Sequence, residues 1–169
     1  MTPQQETEFR EYVEARRGTL LRTAFLVCGD WHRAEDAVQT SLVKLYGKWP
    51  RTRLETADAY ARRIVVNVLI DESRRGWFRR ERSHAAPPDG SVEAGTPEDR
   101  LTAVSALAEL PPRQRATLVL RFWEDLSVEE TARMLRCSPG TVKSQTARGL
   151  QTLRGLYETA DLTGQGAES

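Results

Sequence analysis

Apolar side chains recur at helical spacing near the C-terminal end of the chain. Val128, Ala132 and Leu135 fall on one face of a helix. Ser127 precedes this run, and Glu130 follows Ser127 by three residues. This spacing is typical of a capping box, in which each of the two side chains accepts a hydrogen bond from the other residue's backbone N–H. The pattern therefore predicts a short helix that begins just after Ser127.

A longer helix is predicted to follow Ser138-Pro139, because Ser is a favoured N-cap and Pro suits the first helical position. Its expected buried stripe consists of Val142, Thr146, Leu150 and Leu153. We expect the small Ala132 where the two helices cross, packed against Val142. Arg136 occupies the turn, where a left-handed backbone favours Gly and another residue costs on the order of 1 kcal/mol.

From Ser138 to Tyr157 the chain carries basic residues and no acidic residue. The first exposed turns of this helix offer side chains that reach phosphates and base edges: Thr141, Lys143, Ser144, Gln145 and Arg148. An ordinary helical hairpin with a solvated basic face is the alternative. Two caps, a small residue at the crossing and an acid-free second helix together favour a DNA-binding helix-turn-helix.

Polar residues interrupt an otherwise apolar helix predicted near residues 57–78. They are spaced four, four and three apart, and Trp77 continues the series: Arg63, Asn67, Asp71 and Arg74. Basic residues interleaved with aromatic ones suit single-stranded nucleic acid, because bases stack and phosphates pair with Arg. In the structural alternative, Asp71 pairs with a neighbouring Arg and Trp77 closes the core. Composition alone supports both interpretations equally.

Helical periodicity recurs along the chain, and no segment alternates as a strand would. The predicted fold is all-α, with two small helical domains at residues 1–80 and 97–158 and the helix-turn-helix in the second. Residues 81–96 are rich in Pro, Gly, Ala and Ser and are predicted to form a flexible linker. Residues 159–169 are too polar to pack and are predicted to form a disordered tail. In the helix after Pro112, Trp123 is expected to face inward with Ala116 and Leu120.

The net charge of the 169 residues is only +1, so the total does not indicate a nucleic-acid partner. The distribution changes this picture, since residues 60–82 hold seven Arg against three acids, whereas residues 83–110 hold five acids and one Arg. No apolar run reaches membrane-spanning length, and the first twenty residues do not form a signal peptide. We therefore expect no membrane insertion.

Candidate catalytic groups are scarce. The sequence shows no Gly-rich phosphate loop, no Ser/His/Asp grouping and no paired-carboxylate site, and its two histidines lie in no polar cluster. Cys28 and Cys137 lack metal-ligand spacing and are expected to be small buried thiols. We expect a cytoplasmic protein that is not an enzyme and has no metal or cofactor.

Three segments of the chain resemble the extracytoplasmic-function group of bacterial RNA polymerase sigma factors, in an actinobacterial form. They are WHRAEDAVQTSLVKLYGKW, AYARRIVVNVLIDESRR and LAELPPRQRATLVLRFWEDLSVEETARMLRCSPGTVKSQTARGLQTLR. They occur in the order that the family has, with a linker where the family has one. The resemblance spans Phe9 to Leu156.

The resemblance implies a promoter-specificity subunit that binds core RNA polymerase, directs it to promoter DNA and assists melting. It implies that the clamp helices of the largest polymerase subunit contact one helix, and that the flap of the second-largest subunit is a further partner. The clamp-binding residues would be Glu35, Asp36, Gln39 and Thr40, with Thr40 standing where the family often has an acid. Many members of the group also bind an anti-sigma protein, which makes such a protein a further candidate partner.

The resemblance also assigns DNA contacts. The single strand of the −10 element would meet Arg63, Asn67, Asp71, Arg74 and Trp77, with Asn67 in the pocket for a flipped base. The duplex −35 element would meet the five exposed residues of the last helix. Two alternatives remain open at this point. One is a stand-alone dimeric helix-turn-helix regulator that binds palindromic DNA, and the other is an interaction protein whose basic patches meet an acidic partner.

Overall fold

The computed structural model describes residues 1–76 and 97–165, with side chains described within 1–73 and 103–159, and the described backbone is helical without strands. This confirms the predicted all-α fold. The helices are α1 (Pro3–Cys28), α2 (Trp31–Lys48), α3 (Leu54–Gly76), α4 (Pro97–Ala108), α5 (Pro112–Leu118), α6 (Val128–Leu135) and α7 (Pro139–Gln165). A 3-10 turn (Trp49–Arg51) follows α2, and a π-helical turn (Val119–Trp123) follows α5. The chain divides into two compact units, Met1–Ser91 and Val92–Ser169.

Local capping sets the ends of the first helices. Thr2 and Gln5 form a capping box at the start of α1. Gly29 ends α1 in the left-handed region, with a φ of 72°. Asp30 then caps α2, because its carboxylate accepts from the backbone N–H groups of His32 and Arg33 at 2.9 and 3.1 Å. The chain therefore turns sharply between two long helices, with Asp30 satisfying two N–H groups at the start of α2.

Helices α2 and α3 approach each other closely in the N-terminal unit. Small, fully buried residues form much of their facing surfaces: Ala34, Ala37, Ser41, Ala57 and Ala61. The Ser41 hydroxyl donates to the Ala61 backbone carbonyl across 2.8 Å. This bond satisfies the buried hydroxyl and links the two helices directly.

Helix α1 packs on this pair through an aromatic cluster. Phe9 and Tyr12 lie against Trp49, with ring centroids 5.1 and 5.3 Å apart. The Tyr12 hydroxyl donates to Asp58 Oδ1 at 2.9 Å, and Arg16 approaches the other carboxylate oxygen at 3.2 Å. Burial and this hydrogen bond raise the pKa of the Tyr12 phenol above its ordinary value. The phenol therefore stays protonated and holds α1 to the start of α3.

In the C-terminal unit, α6 and α7 form the helix-turn-helix. The predicted capping box is confirmed: Glu130 N–H donates to Ser127 Oγ at 3.0 Å, and Ser127 N–H donates to Glu130 Oε2 at 2.8 Å. Arg136 adopts the left-handed conformation, with φ 55° and ψ 48°. The Cys137 N–H closes the turn by donating to the Ala132 carbonyl at 3.0 Å. The turn keeps helix-turn-helix geometry without glycine.

The buried stripe of α7 differs from the predicted one. Val142 is fully buried and Leu153 partly buried, but Leu150 is 41% exposed. Gly149 lies inside instead, where an added Cβ would stand 2.9 Å from Leu118 Cδ1. Helix α5 thus crosses α7 at a position that leaves room only for hydrogen.

The prediction for the C-terminal tail meets a different structure. Helix α7 continues through residues 159–165, which the sequence prediction assigned to a disordered tail. The segment contains no proline, so the helix can propagate without apolar packing. The predicted linker 81–96 lies outside the described residues.

The crossing at Gly149 predicts opposite effects for two substitutions in one helix. Gly149→Ala should destabilise the C-terminal unit, because overpacking against buried Leu118 costs about 1–3 kcal/mol and outweighs the helix-propensity gain. Gly155→Ala is the matched control, since its added Cβ meets nothing within 4 Å. It should stabilise by up to about 1 kcal/mol. Thermal unfolding of both variants, followed by circular dichroism, checks this. A raised midpoint for Gly149→Ala would contradict the close crossing.

Candidate nucleic-acid and polymerase interfaces

The five predicted DNA-contact residues of α7 do not share one environment. Lys143, Ser144 and Arg148 are exposed, whereas Thr141 and Gln145 are half-buried. At about 100° per residue, Lys143 and Arg148 lie about 140° apart around the helix axis. They therefore stand on either side of the face that points away from the core. A helix lying in a major groove could direct these two cations toward different strands.

Internal hydrogen bonds occupy two of the hydroxyl groups. Thr141 Oγ1 lies 2.9 Å from Ser138 Oγ, and Ser144 Oγ donates to the Gly140 carbonyl at 3.1 Å. Ser138 Oγ also accepts from the Thr141 backbone N–H at 3.1 Å and so caps α7. The first turn of α7 holds no acidic residue. The positive end of the helix dipole is therefore open to an anion such as phosphate.

The polar stripe of α3 lies opposite the helix's buried face. Arg63 and Asp71 are exposed and Asn67 is half-buried, while Val65 and Leu69 on the other side are buried. The structure thus brings these three predicted residues onto one helix face. The Arg74 side chain and all of Trp77 lie outside the described residues. The alternative, in which Asp71 pairs with a neighbouring Arg such as Arg74, involves a side chain that also lies outside the described residues.

Sequence reasoning missed one feature beside this stripe. Tyr60 is only half-buried and lies two turns before Asn67 on the same face. Lys48 Nζ stands 4.9 Å from the centroid of the Tyr60 ring, within cation–π range. Spacing alone could have placed Tyr60 beside Asn67, but only the packing of α2 on α3 brings Lys48 to it.

The predicted clamp-binding residues form a continuous exposed face on α2. Glu35, Asp36, Gln39 and Thr40 are all exposed. The face continues into Val43, which is 66% exposed, and Tyr46. The sequence prediction did not place either residue on this face, although three- and four-residue spacing from Gln39 onward could have done so. Exposed apolar side chains bordered by polar ones are typical of a protein-binding surface.

A second exposed apolar pair lies at the π-helical turn after α5. Phe122 is 60% exposed and Trp123 is 37% exposed, so the expectation that Trp123 faces inward is wrong. The Glu124 N–H donates to the Val119 carbonyl, five residues back, at 3.0 Å. A π turn inserts one residue relative to α-helical periodicity, so side chains beyond it rotate off the predicted face.

The described residues hold no metal-binding cluster and no membrane-spanning helix. Within residues 1–76 and 97–165, no group of three or more His, Cys, Asp or Glu side chains could hold a metal ion. No helix in these ranges is long and apolar enough to cross a membrane. Cys28 is buried as predicted, and Cys137 is partly exposed.

Two family models match the chain in succession. The model described as Sigma-70 region 2 matches residues 12–79, and the model described as Sigma-70, region 4 matches residues 100–153. The first match contains the α2 face and the α3 stripe, and the second contains the helix-turn-helix.

Similar proteins carry matching names. An RNA polymerase sigma-E factor of Streptomyces avermitilis is 40% identical over 168 residues, which cover 95% of this chain and 91% of the relative. The ECF RNA polymerase sigma factor SigL of Mycobacterium tuberculosis is 30% identical over 163 residues, covering 91% of each. The fold is similar to that of the sigma factor RpoE of Bartonella quintana, solved with the anti-sigma factor NepR, with a TM-score of 0.72, 24% identity and coverage of 89% of this chain and 97% of that chain.

These matches favour neither the stand-alone regulator nor the interaction protein. Both family regions are present in the order that the sequence predicted, and the Streptomyces avermitilis and Mycobacterium tuberculosis relatives each align over 91% of their length. The chain belongs to the extracytoplasmic-function group of the sigma-70 family of RNA polymerase sigma factors.

Proposed function

We propose that this sigma factor binds core RNA polymerase, directs it to specific promoters and assists promoter melting. The observation that carries the proposal is the presence of three separate exposed surfaces in one chain: the acidic-apolar face of α2, the polar stripe of α3 and the basic face of α7. A stand-alone regulator would need only the last. The proposed role is non-catalytic and cytoplasmic. The proposed functional domains are residues 1–80 and 97–158, joined by a linker at 81–96.

The α2 face is the proposed contact for the clamp helices of the largest polymerase subunit. Glu35 and Asp36 supply negative charge at its N-terminal part, and Val43 supplies exposed apolar area further along. Charge complementarity would orient the encounter, while desolvation of the apolar part would hold the complex. Thr40 stands between the two parts and contributes no charge. The exposed Phe122 and Trp123 are a separate apolar site for the flap of the second-largest subunit.

The α3 stripe is the proposed holder of the melted −10 strand. A base flipped out of the stack costs a few kcal/mol, so the protein must supply stacking and phosphate contacts in exchange. Asn67 has an amide that can both donate to and accept from a base edge, and it is half-buried, so part of the side chain is already shielded from water. Arg63 lies one turn away and is exposed toward solvent. Arg74 and Trp77 belong to the same proposed contact set.

The α7 face is the proposed reader of the −35 element. Lys143, Gln145 and Arg148 carry the donors that can meet base edges. Thr141 and Ser144 are the proposed phosphate contacts, and the Ser144 hydroxyl would have to give up its hydrogen bond to the Gly140 carbonyl to donate to a phosphate. An anti-sigma protein remains a further proposed partner, and it would compete for these same surfaces.

Polymerase binding can be tested with one charge reversal and a matched control. Asp36→Arg should weaken binding to core polymerase at least about tenfold, because like charges placed together at an interface cost several kcal/mol. Glu14→Arg makes the same charge change on the exposed side of α1 and should bind as the parent does. Gel filtration with core polymerase, followed by a fluorescence titration, measures both. Failure of the parent chain to co-elute with core would overturn the proposed function.

Arg148→Ala should weaken binding to cognate −35 DNA by about 1–3 kcal/mol, the range for one specific contact to a base edge. Arg154→Ala removes the same charge about 9 Å further along the helix. It should lower binding to cognate and scrambled DNA equally. Electrophoretic mobility shifts of holoenzyme at fixed salt compare the two. An equal loss on both DNAs for Arg148→Ala would reduce Arg148 to a phosphate contact.

Asn67→Ala should impair open-complex formation by about 1–3 kcal/mol, since the captured base would lose its hydrogen-bonding partner. Permanganate reactivity of unpaired thymines in the −10 region measures the open complex. Binding to core polymerase and the unfolding midpoint serve as internal controls, and both should match the parent. Parental permanganate reactivity would remove Asn67 from the melting step.

A further inference from the structure

Ala147 lies on the outward face of α7 and is exposed. Val142 and Gly149, which are buried, fix the side of the helix that faces the core. At about 100° per residue, Ala147 stands about 140° from Val142 and about 160° from Gly149. Its methyl group therefore points almost directly away from the core.

The surroundings of this methyl group are polar. Ser144 lies one turn before it, Lys143 stands about 40° to one side, and Arg148 stands about 100° to the other. The Ser144 hydroxyl donates its proton to the Gly140 carbonyl, so its donor is turned back toward the helix. Between the two cations, the Ala147 methyl group is thus the apolar part of a surface that also presents the exposed Ser144 side chain.

We propose that the Ala147 methyl group is a specificity-determining contact that packs against the C5-methyl group of one thymine in the upstream promoter element. The thymine methyl is the apolar feature that base edges present in the major groove, and alanine is among the side chains suited to it. Cytosine lacks this methyl group, so the contact discriminates at one base pair. This inference rests on the proposed binding of α7 to duplex DNA.

The competing explanation is that alanine is simply a strong helix former at a solvated position. It predicts that the identity of residue 147 does not affect which DNA sequence binds. The two explanations therefore predict different effects of removing a single methyl group from the DNA. This change leaves the protein unaltered, so the stability of its helix does not affect the comparison.

The test uses holoenzyme reconstituted from core polymerase and the full chain, with a promoter fragment found by run-off transcription. Each thymine of the −35 region, on both strands, is replaced in turn by deoxyuridine, which removes the methyl group and keeps base pairing. The parent chain should lose about fourfold in affinity at one position, the value of burying one methyl-sized group. Ala147→Gly should bind thymine and deoxyuridine equally at that position. Arg148→Ala should bind more weakly overall and keep the parent's discrimination.

The outcomes separate this inference from the proposed function. Protection of the −35 region without deoxyuridine sensitivity at any position would overturn the inference alone. So would sensitivity that persists unchanged in Ala147→Gly. Absence of −35 protection in the parent holoenzyme would overturn the assignment of α7 to duplex DNA, and the inference with it.

Discussion

Close approach of helix backbones is the constraint on which both units depend. In the N-terminal unit, alanines and Ser41 let α2 and α3 pack until a side chain reaches a backbone carbonyl 2.8 Å away. In the C-terminal unit, Gly149 lets α7 pack on Leu118 where even a methyl group would collide. Because the facing residues are small, few conformers satisfy the packing, and the crossing is fixed tightly. These crossings therefore determine which face of each helix is left exposed.

Those exposed faces differ in the balance of their charges. The α2 face carries Glu35 and Asp36 with Lys44 further along, the α3 stripe carries both Arg63 and Asp71, and the α7 face carries Lys143 and Arg148. A net charge of +1 conceals these differences. Such differences in local charge favour different kinds of partner at different surfaces of one chain.

Local backbone irregularities set the geometry of the C-terminal unit. Arg136 adopts a left-handed conformation in the turn between α6 and α7. Asp125 has a φ of 54° in the connection before α6. The π-helical turn ends α5, and the Arg121 guanidinium donates to the Leu126 carbonyl across the same connection. Strained residues of this kind persist where surrounding packing leaves the chain no alternative. Here they position α7 and expose an aromatic pair.

Local signals in the sequence determined the helices, their caps and the helix-turn-helix. The capping box at Ser127 and Glu130 follows from chemistry within a few residues, whereas the left-handed conformation of Arg136 is one that local chemistry disfavours. The exposure of Arg63 and Arg148 also followed from periodicity. Tertiary packing alone decided that Gly149 is buried and Leu150 exposed, that Trp123 faces out, and that Lys48 meets Tyr60. Each of these depends on where a second helix crosses or where a π turn shifts the register, and periodicity within one helix carries neither piece of information.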